Sequence, residues 1–236
     1  MHIIVTRPEA DAAPLKATLE ALGHTVTAIP LLRIVAREGI EIPDLDYQLA
    51  VATSANGIRS LIANHHVKSI RMLTVGPQSL AAAQQSGFTR AEAQGGDIEG
   101  LTAFISANFD PQSGPVLYLS GAETSGGLQA SLQTLGFTVD RLTLYDAVPA
   151  ETLGAAAQAI KTGKAGSVLL YSPRTARLWA ALVGQHGLET QAARLMHFCL
   201  SPNVAASLPE DWPRAIANSP HEAAMLALLE QTPRTV

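Results

Sequence analysis

One helix-then-strand unit occurs twice in this chain, a domain's length apart, and that repeat constrains the fold more than any other feature. Residues 136–150, GFTVDRLTLYDAVPA, superpose on residues 23–36, GHTVTAIPLLRIVA, at an offset of 113 (136 − 23). The match extends upstream. LQASLQTLG at 128–136 follows LKATLEALG at 15–23 with five of nine positions identical, which is enough to treat both as one unit. A unit recurring at a domain-sized interval implies two similar lobes. In the second copy Val139, Leu142, Leu144 and Val148 are mixed with polar residues, and Tyr145 stands where the strand should emerge into solvent.

A chain of 236 residues holds one large domain or two of roughly 115 residues. Its pattern is strand-helix alternation, which predicts α/β architecture with parallel sheets. The run HIIVT at 2–6 is a short strand of the kind buried on both faces. Arg7 and Pro8 end it, and a helix over about 10–22 follows, with Leu15, Leu19 and Leu22 on one face and Gly23 closing it. Further strands are expected at 25–34, 49–53, 71–75, 88–93, 115–119, the repeat itself, 167–171, 195–200 and 214–217. Helices are expected at 58–64, 78–86, a stretch ending near 107, 127–135, 152–161, 175–183, 204–208 and 221–229. Residues 37–46, REGIEIPDLD, are polar and proline-bearing and read as a linker.

Counting strands sets the lobes. Two strands precede Arg37, five lie between Tyr47 and Tyr145, and three follow Ala150, so the first two must join the last three. The expected lobes are 1–36 plus 148–236, discontinuous, and 37–147, continuous, with the two repeated stretches as the connections. The halves echo each other elsewhere. TSAN at 53–56 parallels YSPR at 171–174 (171 − 53 = 118), and VGPQ at 75–78 parallels LSPN at 200–203 (200 − 75 = 125).

Composition excludes several functions. Apolar residues make up 47% and charged residues 15%, so there is material for two cores and no case for disorder. A net charge of −4 without a basic run argues against nucleic acid, and the scarcity of aromatics argues against base stacking. Cys199, alone in the apolar run LMHFCL, is expected to be a buried core residue, and Trp179 and Trp212 to be packing residues. No apolar stretch approaches the ~20 residues that span a bilayer, and the start does not read as a signal peptide. A soluble cytoplasmic protein is the expectation. No GxGxxG follows the first strand and no GxxxxGK[ST] occurs, so nucleotide-phosphate loops are lacking. The seven histidines show no metal-ligand spacing, adjacent His65 and His66 read as solvated, and no GxSxG elbow accompanies the serines.

The remaining chemistry sits in loops. In open parallel sheets, ligands bind outside the carboxyl ends of strands, where loops meet helix amino termini. Here those loops supply Thr6 and Arg7; Ser54 and Asn56; Gly76, Gln78 and Ser79; Ser120 and Gly121; Ser172 and Arg174; and Ser201 and Asn203. Small polar residues of this kind present hydroxyls and backbone N–H groups that suit carboxylates or phosphates. Singly, each is an ordinary cap or turn residue. Facing one cleft between two lobes, they would form a surface for an anionic small molecule.

At these loops the sequence resembles the uroporphyrinogen-III synthase family. The likeness runs through VTRP at 5–8, LG at 22–23, Pro30, TSANG at 53–57, VG at 75–76, LY at 144–145 and YSP at 171–173. It implies two similar lobes, each a parallel sheet flanked by helices (flavodoxin-like), joined by a two-stranded linker. It implies a cofactor-free, metal-free cyclisation of hydroxymethylbilane, a linear tetrapyrrole, to uroporphyrinogen III. Tyr145 matches the family's linker tyrosine and is the expected catalytic residue, assisting departure of the substrate hydroxyl. A monomer is expected, in transient contact at most with the preceding pathway enzyme. Two loops depart from the family pattern. Residues 120–127, SGAETSGG, lack the basic residue many members carry there, and Glu123 would repel a carboxylate; the late glycine-threonine motif is SPNVA at 201–205. The competing reading is a two-lobed binding or sensor module that closes on an anionic molecule without transforming it.

Overall fold

A computed structural model describes residues 1–61, 67–124 and 126–231. In chain order the elements are β1 (His2–Val5), α1 (Glu9–Ala21), β2 (Thr25–Ala28), β3 (Leu32–Ala36), β4 (Leu49–Ala52), α2 (Ala55–Arg59), β5 (Met72–Thr74), α3 (Pro77–Gln85), β6 (Ala91–Ala93), α4 (Ile98–Asn108) and β7 (Val116–Gly121). They continue with α5 (Leu128–Thr134), β8 (Val139–Pro149), α6 (Gly154–Lys161), β9 (Ser167–Leu170), α7 (Pro173–Gln185), α8 (Glu189–Ala192), β10 (Met196–Cys199), α9 (Pro202–Ala205), β11 (Arg214–Ile216) and α10 (Glu222–Gln231).

The strands form two sheets, one of five strands in the order β11-β10-β9-β1-β2 and one of six in the order β3-β8-β7-β4-β5-β6. Within the first sheet every strand pair is parallel, as are β8-β7-β4-β5-β6 in the second. The edge strand β3 is antiparallel to β8, as the backbone bonds Arg37 N–H to Leu144 O and Ala150 N–H to Leu31 O require. The chain divides into two compact units, one of Met1–Arg33 with Val148–Val236 and one of Ile34–Ala147. The first passage between units lies inside β3, earlier than the 36/37 boundary expected from the sequence, because β3 pairs with β8 and so joins its sheet.

Central strands are apolar at consecutive positions because both of their faces are covered. In β1, Ile4 packs with Val168, Leu170, Trp179 and Ile160, while Ile3 and Val5 pack with Leu15, Leu19, Leu169 and Phe198. In β4, Ala50 and Ala52 face Ile58, Ala82 and Leu119, while Leu49 and Val51 face Leu101, Ile105 and Leu132. Each fully buried aliphatic side chain contributes about 2 kcal/mol by area removed from water, so any polar replacement in β1 or β4 is costly.

Proline breaks the strand expected over 25–34. Pro30 has no N–H to give to a ladder; Ile29 and Leu31 still donate to Val5 O and Thr6 O, and β3 begins one residue later on a different partner. The short strand β6 covers only Ala91–Ala93 of the expected 88–93, and the single-turn helix α8 was not anticipated. The expected helix over 58–64 starts earlier, at Ala55, and α2 ends at Arg59. Its far end and the pair His65-His66 lie outside the described residues. Cys199, Trp179 and Trp212 are buried in the core of the first unit.

Candidate functional site

The candidate residues fall into two sets, each at the carboxyl edge of one sheet. In the first unit the neighbouring strands β10, β9 and β1 end in loops carrying Ser201, Ser172 and Thr6. Thr6 is buried, and its hydroxyl donates to Leu169 O at 2.8 Å, tying β1 to β9. Ser172 caps α7: its Oγ accepts from Thr175 N–H at 3.1 Å and lies 2.8 Å from Thr175 Oγ1. Pro173 follows at the first helical position, where its missing N–H costs nothing. Ser201 holds the same place before Pro202 and α9 without a side-chain capping bond, and Arg174 and Asn203 stand second in α7 and α9.

Arg7 is the buried charged residue of this edge. It is 8% exposed and lies in an ion pair with Asp11 at 3.2 Å and another with Glu222 at 2.6 Å. Its guanidinium stacks over the Tyr171 ring, 4.5 Å from the centroid. Burial pushes the pKa of the Tyr171 hydroxyl above the usual phenol value, with Arg7 pulling the other way. An incoming carboxylate would compete at Arg7 with the more exposed of its two acids, Glu222, whose side chain is 46% exposed.

In the second unit the neighbouring strands are β8, β7, β4 and β5. Ser54 caps α2, accepting from Asn56 N–H at 3.2 Å, and Arg59 donates to Asn56 Oδ1 at 3.5 Å. Gly57 lets α2 approach β7, since a Cβ there would lie 2.8 Å from Leu119 O. Gly76 and Pro77 start α3, with Gln78 exposed and Ser79 buried. Behind them Thr53 Oγ1 and the Tyr118 hydroxyl lie 3.2 Å apart, and burial raises the Tyr118 pKa.

Among the described residues Tyr145 is held by backbone irregularity rather than by a side-chain hydrogen bond. The β7–β8 register shifts at Ser120/Gly121: Ser120 pairs with Thr143, but Gly121 pairs with Tyr145, leaving Leu144 as the extra residue of a bulge. The Tyr145 ring then fills the space over Gly121, where a Cβ would lie 2.6 Å from Cζ and 2.9 Å from the hydroxyl oxygen. Tyr145 is 8% exposed and Ser120 3%. So Tyr145, Ser120 and Gly121 are brought together, Ser54 and Asn56 follow β4, and Gly76, Gln78 and Ser79 follow β5.

Arg141 was missed by sequence reasoning. It reaches from β8 to the loop after β7, donating from Nε to Ser120 Oγ at 2.8 Å and from Nη2 to Gly121 O at 2.8 Å and Ala122 O at 3.0 Å. A basic group therefore stands at the loop whose own residues carry none. The signal was its pairing position opposite Tyr118, two residues from Thr143 on the same face of β8. Also missed were Asp11, Glu222 and Tyr171 around Arg7, and the pair Arg37–Asp146.

Among the described residues no cluster of His, Cys, Asp or Glu could hold a metal ion, and no helix is long and apolar enough to cross a membrane. Two α/β units, each with serine-, glycine- and proline-bearing loops at the carboxyl ends of parallel strands, define a two-lobed α/β protein. Residues 13–227 match the family described as uroporphyrinogen-III synthase HemD, and the chain belongs to that family. It is 25% identical over 206 residues to the uroporphyrinogen-III synthase of Chlorobaculum parvum, covering 79% of this chain and 81% of that one. The fold is similar to that of uroporphyrinogen-III synthetase from Helicobacter pylori (TM-score 0.67, 15% identity, 97% of this chain and 98% of that one). It is also similar to a mutant uroporphyrinogen III synthase from Thermus thermophilus (TM-score 0.57, 15% identity, 98% of this chain and 100% of that one).

Proposed function

We propose that this chain cyclises hydroxymethylbilane, with inversion of ring D and loss of water, to give uroporphyrinogen III. Membership of the family across residues 13–227 carries the reading, and the buried seat of Tyr145 on Gly121 supports its chemistry. The substrate brings its own reactivity. Loss of its hydroxyl leaves an azafulvene, the substituted carbon of ring D attacks, and a spiro intermediate fragments and recloses inverted. The enzyme's share is to hold the chain folded, to protonate the leaving hydroxyl and to exclude the uninverted closure. Tyr145 is the proposed proton donor, a phenol being an O–H donor at neutral pH.

The substrate's many carboxylates are assigned to the loop residues at both sheet edges. In the second unit these are Ser54, Asn56 and the start of α3 at Gly76, Gln78 and Ser79; in the first they are the loops of Thr6, Arg7, Ser172, Arg174, Ser201 and Asn203. Hydroxyls and free N–H groups at helix starts bind such anions even on a chain of net charge −4. The reading needs no cofactor, and it places the protein in the cytoplasm as a monomer that meets the preceding pathway enzyme only transiently.

Incubation with enzymatically generated hydroxymethylbilane, then oxidation and separation of porphyrin isomers, tests this. Type III isomer formed faster than spontaneous closure is expected; type I alone, at the spontaneous rate, would overturn it. For Tyr145→Phe, kcat should fall roughly 10- to 100-fold with folding intact. Wild-type turnover by that variant would remove Tyr145 from the chemistry.

A further inference from the structure

We propose that Arg141 is a positioning residue that locks the bulge on which Tyr145 is seated. The β4–β7 ladder ends at Leu119, and beyond it residues 120–122 run on beside β8. A bulge at a strand end is the least constrained place in a sheet, because the extra residue interrupts the ladder. Three guanidinium bonds fall on these consecutive residues, to Ser120 Oγ, Gly121 O and Ala122 O. Ser120 Oγ also donates to Leu142 O at 3.2 Å, and Ala122 N–H donates to Tyr145 O at 2.9 Å. Arg141 thus holds the three residues in one arrangement, and Gly121 in that arrangement makes room for the Tyr145 ring.

The partners are neutral. No ion pair of Arg141 occurs among the described residues, so its donors are committed to backbone geometry rather than to cancelling a charge. Arginine is suited to this, because its planar fork fixes direction as well as distance. Lysine could reach one of the acceptors but could not span all three.

The inference rests on the proposed role of Tyr145, and a double-mutant cycle separates the two. For Arg141→Gln, kcat should fall about 10-fold with KM changed by less than about 2-fold, the split expected when a group acts only in the reacting complex. Arg141→Lys should recover only part of the loss. Combined with Tyr145→Phe, Arg141→Gln should add nothing, because the group it positions is already gone. Raised KM with unchanged kcat would make Arg141 a carboxylate anchor and overturn the proposal, as would multiplicative losses in the double variant. Wild-type kcat in Arg141→Gln beside an impaired Tyr145→Phe would remove this inference alone; an unimpaired Tyr145→Phe would remove both. If Arg141→Gln fails to fold, Ser120→Ala deletes one acceptor and leaves the guanidinium in place. It should cost roughly 3-fold in kcat, and nothing in the Tyr145→Phe background; an unchanged kcat would sink the proposal.

Discussion

Each unit carries an arginine at the carboxyl edge of its sheet, and the two are held in opposite ways. Arg7 is paired with Asp11 and Glu222 and stacked on Tyr171. Among the described residues Arg141 bonds only a hydroxyl and two main-chain carbonyls. Two similar folds therefore set one arginine against acids and the other against neutral acceptors. The Arg7 cluster joins elements far apart in sequence, since Asp11 is on α1, Glu222 on α10 and Tyr171 follows β9. Its consequence is stability. The Arg141 cluster orders three consecutive residues around the Tyr145 ring. Its proposed consequence is catalysis.

Removing each guanidinium in turn separates the two roles. Arg7→Leu removes the guanidinium partner of Asp11, whose side chain is 8% exposed, and breaking a buried ion pair costs about 3–5 kcal/mol. Arg141→Leu loses three bonds that are part-buried or exposed, each at the low end of about 0.5–1.5 kcal/mol net, so about 2 kcal/mol in all. Urea unfolding of the two variants should differ accordingly, with the larger loss of activity per folded molecule in Arg141→Leu. Equal losses of stability would dissolve the distinction.

A smaller difference lies in the cores. The first unit buries His197 completely, stacked on Trp212 at 4.9 Å and edge-on to Trp179, with Nδ1 3.0 Å from Pro213 O and Nε2 without a partner among the described residues. Burial pushes its pKa down from 6.5 to about 4. The folded state therefore holds the neutral ring while the unfolded chain takes up a proton. Stability from this source is full above pH 6.5 and is lost as pH falls from there towards 4. The loss by pH 4.5 should be roughly 2–3 kcal/mol. Both tryptophans, Trp179 and Trp212, lie in this unit, so their fluorescence follows its unfolding. His197→Phe should flatten the dependence between pH 6.5 and 4.5; an unchanged slope would show that another group is responsible.

Much of this architecture was legible because short apolar runs, punctuated by Gly and Pro, mark strand-helix alternation. The expected starts of helices after Ser54, Gly76, Ser172 and Ser201 lie close to the observed caps for the same reason. Distant pairing was not legible. Glu222 stands 215 residues from Arg7, and nothing local to either names the other. Nor was Arg141, because two of its acceptors are main-chain carbonyls, which every residue has. The bulge that presents Tyr145 shows in no residue type; it is a slip of register between two strands that each look regular.

The smallest expected effect comes from a third arginine, and it tests what decides the other two. Arg37, just after β3, forms a bidentate pair with Asp146 on β8, both contacts at 2.8 Å, beside Tyr145 in sequence. The geometry is better than that of Arg7 with Asp11, yet both side chains are 42% exposed. The hydrogen bond from Arg37 holds the Asp146 pKa below its usual 3.8. The pair's contribution is therefore present above pH 3.8 and is lost as pH falls below it through the folded value. Water already screens such a pair at neutral pH. Asp146→Asn should shift the urea midpoint only slightly at pH 7, and the shift should vanish in molar salt, where the screening length is about 3 Å. A loss as large as that of Arg7→Leu would mean that ion-pair geometry rather than burial sets the difference between the two sheet edges.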